Sequence, residues 1–194
     1  LEFWETYQQS NQSLGAFFVN ANERLKEILE PVETEEETET APESEIDSLL
    51  SDVAQDSLDL TPQVNPLLGK LIPGNPGSHA IARALVSDTA EIGGYLRMRE
   101  IRRLLPPDVQ FTKLLWERPA KDSEIAELYA LKSNRDNVPR ISGDVVSDAQ
   151  DTFDQYNKPA VSMTMNTKGA KDWEKLTADA YNNQTGIAIV LDGK

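Results

Sequence analysis

The chain closes on Thr185 to Lys194, TGIAIVLDGK, and the unbroken apolar run Ile187 to Leu191 leaves it few ways to fold. A continuous run of this length, rich in β-branched residues and ended by the turn pair Asp192-Gly193, reads as a buried strand leaving through a tight turn. A strand requires a sheet, and other strand candidates stand upstream. Leu1 to Tyr7, Val109 to Trp116, Glu124 to Lys132 and Ala160 to Met165 are rich in β-favouring or apolar residues, and Pro119 sits where a strand should end. In Ala160 to Met165 alternation puts Val161, Met163 and Met165 on one side and Ser162 and Thr164 on the other, the pattern of a sheet with one buried face.

Helical spacing accounts for much of the remainder. Leu14, Phe17, Phe18, Ala21, Leu25, Ile28 and Leu29 form an apolar stripe that predicts a helix from about Gln12 to Leu29. Ile46, Leu49, Leu50 and Val53 predict a short helix, broken by the segment Leu60 to Pro66. The cluster Pro73 to Gly77 is a turn, after which Ser78 is placed to cap a helix running through Ile81 and Leu85. Ser87 or Asp88 can cap the next helix, with Ile92, Tyr95, Leu96, Arg99 and Arg103 along one side and Pro106-Pro107 as its stop. Asp144 to Tyr156 suits a short helix, and Thr167 to Tyr181 a longer one with Ala170, Trp173, Thr177 and Tyr181 on one face. The expected fold class is α+β: a four- or five-stranded, mostly antiparallel sheet with helices chiefly on one face, plus a flexible acidic insert over residues 31–62.

The charge supports setting that insert apart. Twelve acidic residues and no Lys or Arg lie between Glu30 and Asp59, so the formal charge of −14 shrinks to −2 for the rest of the chain. Its centre, Glu33 to Glu45, has no aromatic residue and only Ala41 worth burying, too little to offset the entropy of ordering, so it reads as a solvated linker. Those carboxylates lack the spaced Asp/Asn and central Gly of a calcium loop. Net negative charge argues against nucleic acid as a partner. Four arginines, Arg97, Arg99, Arg102 and Arg103, crowd the end of one predicted helix, where they complement its dipole and cover apolar surface; docking of the acidic insert on them is the alternative.

The residue inventory does not assemble a catalytic or metal site. Cysteine is absent and His79 is the single histidine, which leaves neither thiol chemistry nor a usual base for a nucleophile, and little for zinc or copper. The turn Gly74 to Gly77 lacks the following Gly-Lys-Ser/Thr of a phosphate loop, and Asp192-Gly193 is a turn pair first. No catalytic, cofactor-binding or metal residue is assigned, and no cofactor is implied. A binding role is more open: Phe111, Leu114, Leu115 and Trp116 put apolar residues on both faces of one predicted strand, and Met163 and Met165 are core candidates or an adaptable patch.

The order of elements at the C-terminal end resembles the SecD protein-export family. The strand Lys158 to Asn166, KPAVSMTMN, is followed by a helix carrying Gly169-Ala170, Trp173 and Leu176-Thr177 and then by the Ala-Ile-Val-Leu-Asp-Gly strand. Leu1 to Tyr7, Leu104 to Phe111, Glu127 to Lys132 and Ile141 to Asp144 are similar to segments of the fused SecDF form, so roughly half the chain carries the resemblance, while residues 8–103 match only loosely. The resemblance implies the head subdomain, spanning residues 1–194, of the first large periplasmic domain of a proton-driven transporter of the RND superfamily. It implies a location on the periplasmic side of the bacterial inner membrane, anchored by helices outside this sequence. No run here approaches the roughly 20 apolar residues of a membrane helix. No signal peptide precedes Leu1 and the chain does not begin with Met, which reads as excision of a soluble subdomain. The implied function is non-enzymatic: helping proton-motive-force-driven export by engaging emerging preprotein, with the SecY, SecE and SecG channel subunits and the SecF portion as partners. The alternative is a structural interaction domain for assembly with other translocon or insertase subunits. The resemblance does not say which surface residues would touch preprotein.

Overall fold

The computed structural model describes residues 1–29 and 65–193; the expected acidic insert and the expected helix at Ile46 to Val53 lie outside them. Within these residues the protein is α+β, with every strand pairing antiparallel. β1 (Glu2–Glu5) is followed by the long helix α1 (Gln12–Leu29), then β2 (Ile72–Pro73), β3 (Ala82–Leu85) and the helices α2 (Thr89–Arg97) and α3 (Arg99–Arg102). β4 (Lys113–Trp116), β5 (Ile125–Leu131), β6 (Ile141–Ser142), β7 (Val146–Phe153), β8 (Pro159–Met165), α4 (Thr167–Asn182) and β9 (Ile187–Val190) complete the order.

The strands form a four-stranded sheet in the order β2-β3-β5-β4, a three-stranded sheet in the order β6-β1-β9, and the hairpin β7-β8. The two larger sheets join where Thr6 bridges Leu131, with Tyr7 N–H donating to the Ala130 carbonyl at 2.8 Å and Lys132 N–H to the Glu5 carbonyl at 2.7 Å. Alternation along β5 sends Ala126, Leu128 and Ala130 toward the helices, where α1, α2 and α3 bury Phe17, Leu25, Ile92 and Ile101 against them. β1 is buried on both faces. Phe3 packs on Leu176 and Trp173 of α4, its ring edge-to-face with Trp173 at 5.4 Å, while Trp4 packs on Leu131 and Val190. The Trp4 indole N–H donates to Glu2 at 2.8 Å and Lys113 lies 4.8 Å over its ring, so the buried indole keeps a polar partner.

Glu5 holds this junction. Its side chain is only 5% exposed, and it accepts from Lys132, from Arg140 Nη1 at 3.2 Å, from Asn183 Nδ2 at 3.1 Å and from Thr185 Oγ1 at 2.9 Å. Arg140 also binds Asp179 of α4 at 2.6 Å. Burial pushes the Glu5 carboxyl up, but the hydrogen bonds from Lys132, Asn183 and Thr185 and the Lys132 charge outweigh it and hold the group below the ordinary value of 4.5.

Several sequence expectations are corrected here. Residues 82–85 form β3, not part of a helix begun at Ser78: Ala82 and Ala84 pair with Leu128 and Ala126 of β5 and face the core, so cross-strand pairing overrides alanine's helix propensity. Asp144 to Tyr156 is not a helix but chiefly β7, paired with β8 along its length. The helix after Asp88 breaks at Met98, whose ψ of 137° is extended, and neither Ser87 nor Asp88 caps it with a side chain; the Thr89 hydroxyl instead donates to the Val86 carbonyl at 2.8 Å. β4 begins at Lys113 rather than Val109, because Val109 to Phe111 lies in a turn, where Thr112 N–H donates to the Val109 carbonyl. In α4 the buried stripe is Gly169, Leu176 and Ala180 beside Trp173, and Tyr181 is 85% exposed, so the inward face is rotated from the expected one. The terminal strand β9 is an edge with only Val190 buried, since α4 covers one face and nothing pairs beyond it among the described residues. On β8, Met163 and Met165 pack inward while Val161 is 66% exposed on the outer part of the hairpin.

Two measurements check this packing. A Cβ at Gly169 would lie 2.6 Å from the Val145 side chain, so Gly169→Ala should destabilise the domain by about 1–3 kcal/mol in denaturant unfolding. Because the folded pKa of Glu5 is depressed, its stabilisation is present above the unfolded value and is lost as pH falls through the folded one. Stability of the wild type should therefore fall below pH 4.5, and Glu5→Gln should flatten that acid limb while lowering stability at pH 7. Breaking a buried pair costs about 3–5 kcal/mol, and since Lys132 and Arg140 can turn to water the loss should lie near or below the low end.

Candidate functional site

The expected strand at Val109 to Trp116, which the structure shortens to β4, supplies the most unusual surface. β4 lies at the edge of the four-stranded sheet, and all four of its residues, KLLW, are half-buried. Leu114 and Trp116 lean on the helical core, while Leu115 packs with Trp4, Leu131 and Val190 on the opposite face. Apolar side chains on both faces fit a strand with structure above and below it, yet its outer edge carries no neighbouring strand among the described residues. Phe111, just before it, is 40% exposed.

A groove of about 740 Å³ runs along β4 from Gln110 to Pro119. One wall is α2, through Ala90, Gly93 and Arg97, and the other includes Ser133 to Arg135, beyond the end of β5. Arg97, Arg118 and Arg135 line it, and none of the three forms an ion pair among the described residues. Arg102 Nη1 donates to the Thr112 carbonyl at 2.8 Å and so occupies the start of the edge.

On the other face of β4 a second cleft, about 430 Å³, opens between β4 and β9. Leu115, Leu131, Ala188 and Val190 line its apolar part; Ser78, Glu117 and Tyr129 line its polar part. The Tyr129 hydroxyl donates to Glu127 at 2.7 Å, and burial followed by that hydrogen bond pushes the phenol up to about 12. Glu117 is raised by burial and by the neighbouring Glu127 carboxylate. His79, exposed, lies against Gly186, where a Cβ would come within 2.6 Å of its ring.

Among the described residues no group of His, Cys, Asp or Glu is placed to hold a metal ion. Of the four arginines singled out in the sequence, the structure brings Arg97 and Arg102 to the groove. Arg118 and Arg135 were not anticipated there; the signal available was only their position just after the β4 and β5 patterns. The hairpin also exposes large apolar side chains, Phe153 at 66% and Tyr156 at 74%.

Residues 121–194, from the turn before β5 to the chain end, match the family model for the SecDF P1 head subdomain. The chain is 38% identical over 131 residues to the protein translocase subunit SecD of Rhodothermus marinus, covering 66% of this chain and 20% of that protein. The chain belongs to the SecD/SecDF protein-export family. It is also 34% identical over 85 residues to the protein translocase subunit SecDF of Thermus thermophilus, covering 44% of this chain and 11% of that protein. The SecD subunit of Rhodobacter capsulatus is 41% identical over 73 residues, 38% of this chain and 12% of that protein. The aligned regions span a fifth or less of these curated relatives. No solved structure matches it. Within the matched head segment lie β5, the hairpin, α4 and β9, and therefore both the inner neighbour of β4 and one wall of each cleft.

The environment of Tyr129 gives a direct check on the second cleft. Its folded pKa is raised above 10.0, so the stabilisation it contributes is complete below pH 10 and lost as pH rises toward 12. In alkaline denaturation followed by circular dichroism, Tyr129→Phe should lose stability less steeply than the wild type between about pH 10 and 12.

Proposed function

We propose that this chain is the head of the first periplasmic domain of a SecD/SecDF export subunit, facing the periplasm at the bacterial inner membrane, and that it handles exported preprotein. In this reading it engages polypeptide leaving the SecY, SecE and SecG channel while proton flow through membrane helices outside this sequence, including the SecF portion, moves it. No helix among the described residues is long and apolar enough to cross a membrane. The role is one of binding, without a cofactor, catalytic residue or metal.

The observation that supports it is the open edge of β4 lying in a groove with apolar and cationic walls. A surface that must accept many sequences gains little from a specific pocket and much from accessible backbone and broad apolar contact. The groove has both features. A second reading, a domain that chiefly assembles with other translocon or insertase subunits, draws support from the hairpin β7-β8, whose Phe153, Tyr156 and Val161 are exposed with no covering element among the described residues.

Photo-crosslinking from full-length protein during translocation separates the two. A photoreactive residue at Phe111 or Leu115 should capture a stalled preprotein, more efficiently when a proton gradient is present, whereas one at Tyr156 should not. Capture of preprotein from neither Phe111 nor Leu115, together with capture of a translocon subunit from Tyr156, would replace the first reading with the second.

A further inference from the structure

We propose that the edge of β4, unpaired among the described residues, takes up an extended segment of a second polypeptide as an added antiparallel strand, and that the surrounding cations favour segments bearing acidic side chains. This rests on the preprotein-handling reading and specifies how the contact is made.

The ladder shows which backbone groups are available. Glu117 N–H donates to the Glu127 carbonyl at 2.9 Å, and β4 pairs with β5 in the register Lys113 to Leu131 through Trp116 to Leu128. Antiparallel pairs alternate between bonded and non-bonded positions, so Lys113, Leu115 and Glu117 turn their backbone groups toward β5. Leu114 and Trp116 therefore turn theirs outward, presenting two N–H donors and two carbonyl acceptors along the edge. Arg102 already occupies the next outward carbonyl, that of Thr112, which sets where an added strand must stop.

Edges in folded proteins are ordinarily blunted. β2, at the opposite edge of the same sheet, is two residues long and includes Pro73. β4 has neither device: its single lysine, Lys113, is held by Glu2 at 3.2 Å, and Pro119 comes only after the strand has ended. The groove leaves room beside this edge, and Gly93 on the facing helix keeps it open. A Cβ there would meet Arg97 at 3.6 Å and the Trp116 indole at 3.7 Å, ordinary contact distances, so a larger side chain would occupy the groove without straining α2. Arg97, Arg118 and Arg135 give the opening a positive rim in a chain whose overall charge is −14. Backbone pairing is indifferent to sequence, whereas a positive rim is not.

The test uses the whole 194-residue chain and a fluorescent six-residue peptide alternating valine and glutamate. Methylating one alternate set of its backbone nitrogens removes donors facing β4, and methylating the other set removes only donors facing solvent. The first peptide should bind roughly tenfold or more weakly than the unmodified one, the loss expected for one or two backbone hydrogen bonds, and the second should bind as well. Binding should slow hydrogen exchange at the Leu114 and Trp116 amides. Lysine in place of glutamate should weaken binding, and the double variant Arg118→Glu, Arg135→Glu should reverse that preference. Gly93→Leu should block the peptide without lowering the thermal unfolding temperature, since leucine is the better helix former. Equal binding of the two methylated peptides, unprotected amides at 114 and 116, or no binding at all would each overturn strand addition. None of these results would touch the crosslinking from Phe111, which judges preprotein handling independently.

Discussion

A single buried carboxylate organises the meeting point of this domain. Glu5 ends the first strand, and its partners come from the far side of the sequence: Lys132 after β5, Arg140 before β6, Asn183 after α4 and Thr185 before β9. A buried charge is costly unless its lone pairs are met, so four separate segments must converge on one point for the fold to be stable. Their convergence places the end of β1 against β5 and joins a three-stranded sheet to a four-stranded one. The direction of these bonds matters as much as their strength. Apolar residues would tolerate small rotations between the two sheets, whereas a carboxylate shared among four donors tolerates few.

That junction determines which strand edges stay open. β1 is bordered by β9 on one side and by β6 and then β5 on the other, and β5 is bordered by β3 and β4. β4 and β9 consequently become edges, and Leu115, Leu131, Ala188 and Val190 gather with Trp4 between them. The groove along β4 is thus a by-product of how the sheets are joined, with α2 and the residues after β5 as its sides. An apolar edge is a hazard for a protein with no partner and an asset for one that receives extended chains.

The charge distribution is consistent with such a surface. Most of the net negative charge belongs to the stretch Glu30 to Asp59, so the rest of the chain is close to neutral and can support a local positive rim. Arg97, Arg118 and Arg135 come from three different parts of the sequence and share one opening. The exposed hairpin is different in character: its turn is closed by Asp154, whose side chain accepts from the amides of Tyr156 at 2.8 Å and Lys158 at 2.9 Å, and it presents isolated aromatic residues rather than a groove.

Elements whose pattern is local were readable from the residues. The stripe from Leu14 to Leu29 keeps helical spacing over about four and a half turns, and the resulting helix spans Gln12–Leu29 as expected; the strand, helix and strand order from Pro159 to Val190 was equally plain, as was membership of the SecD family. β3 and β7 were not. ARAL carries good helix formers and becomes a strand only because β5 offers it a partner, and VSDAQDTF is almost wholly exposed, so it has no buried face whose period could reveal it. The site follows the same division. Phe111 to Trp116 stood out as apolar on both faces, because side-chain chemistry is written one residue at a time. Which backbone edge stayed unpaired, and which arginines stood beside it, depended on the register of β4 with β5 and on the docking of α2, contacts between residues far apart in the chain that no local pattern encodes.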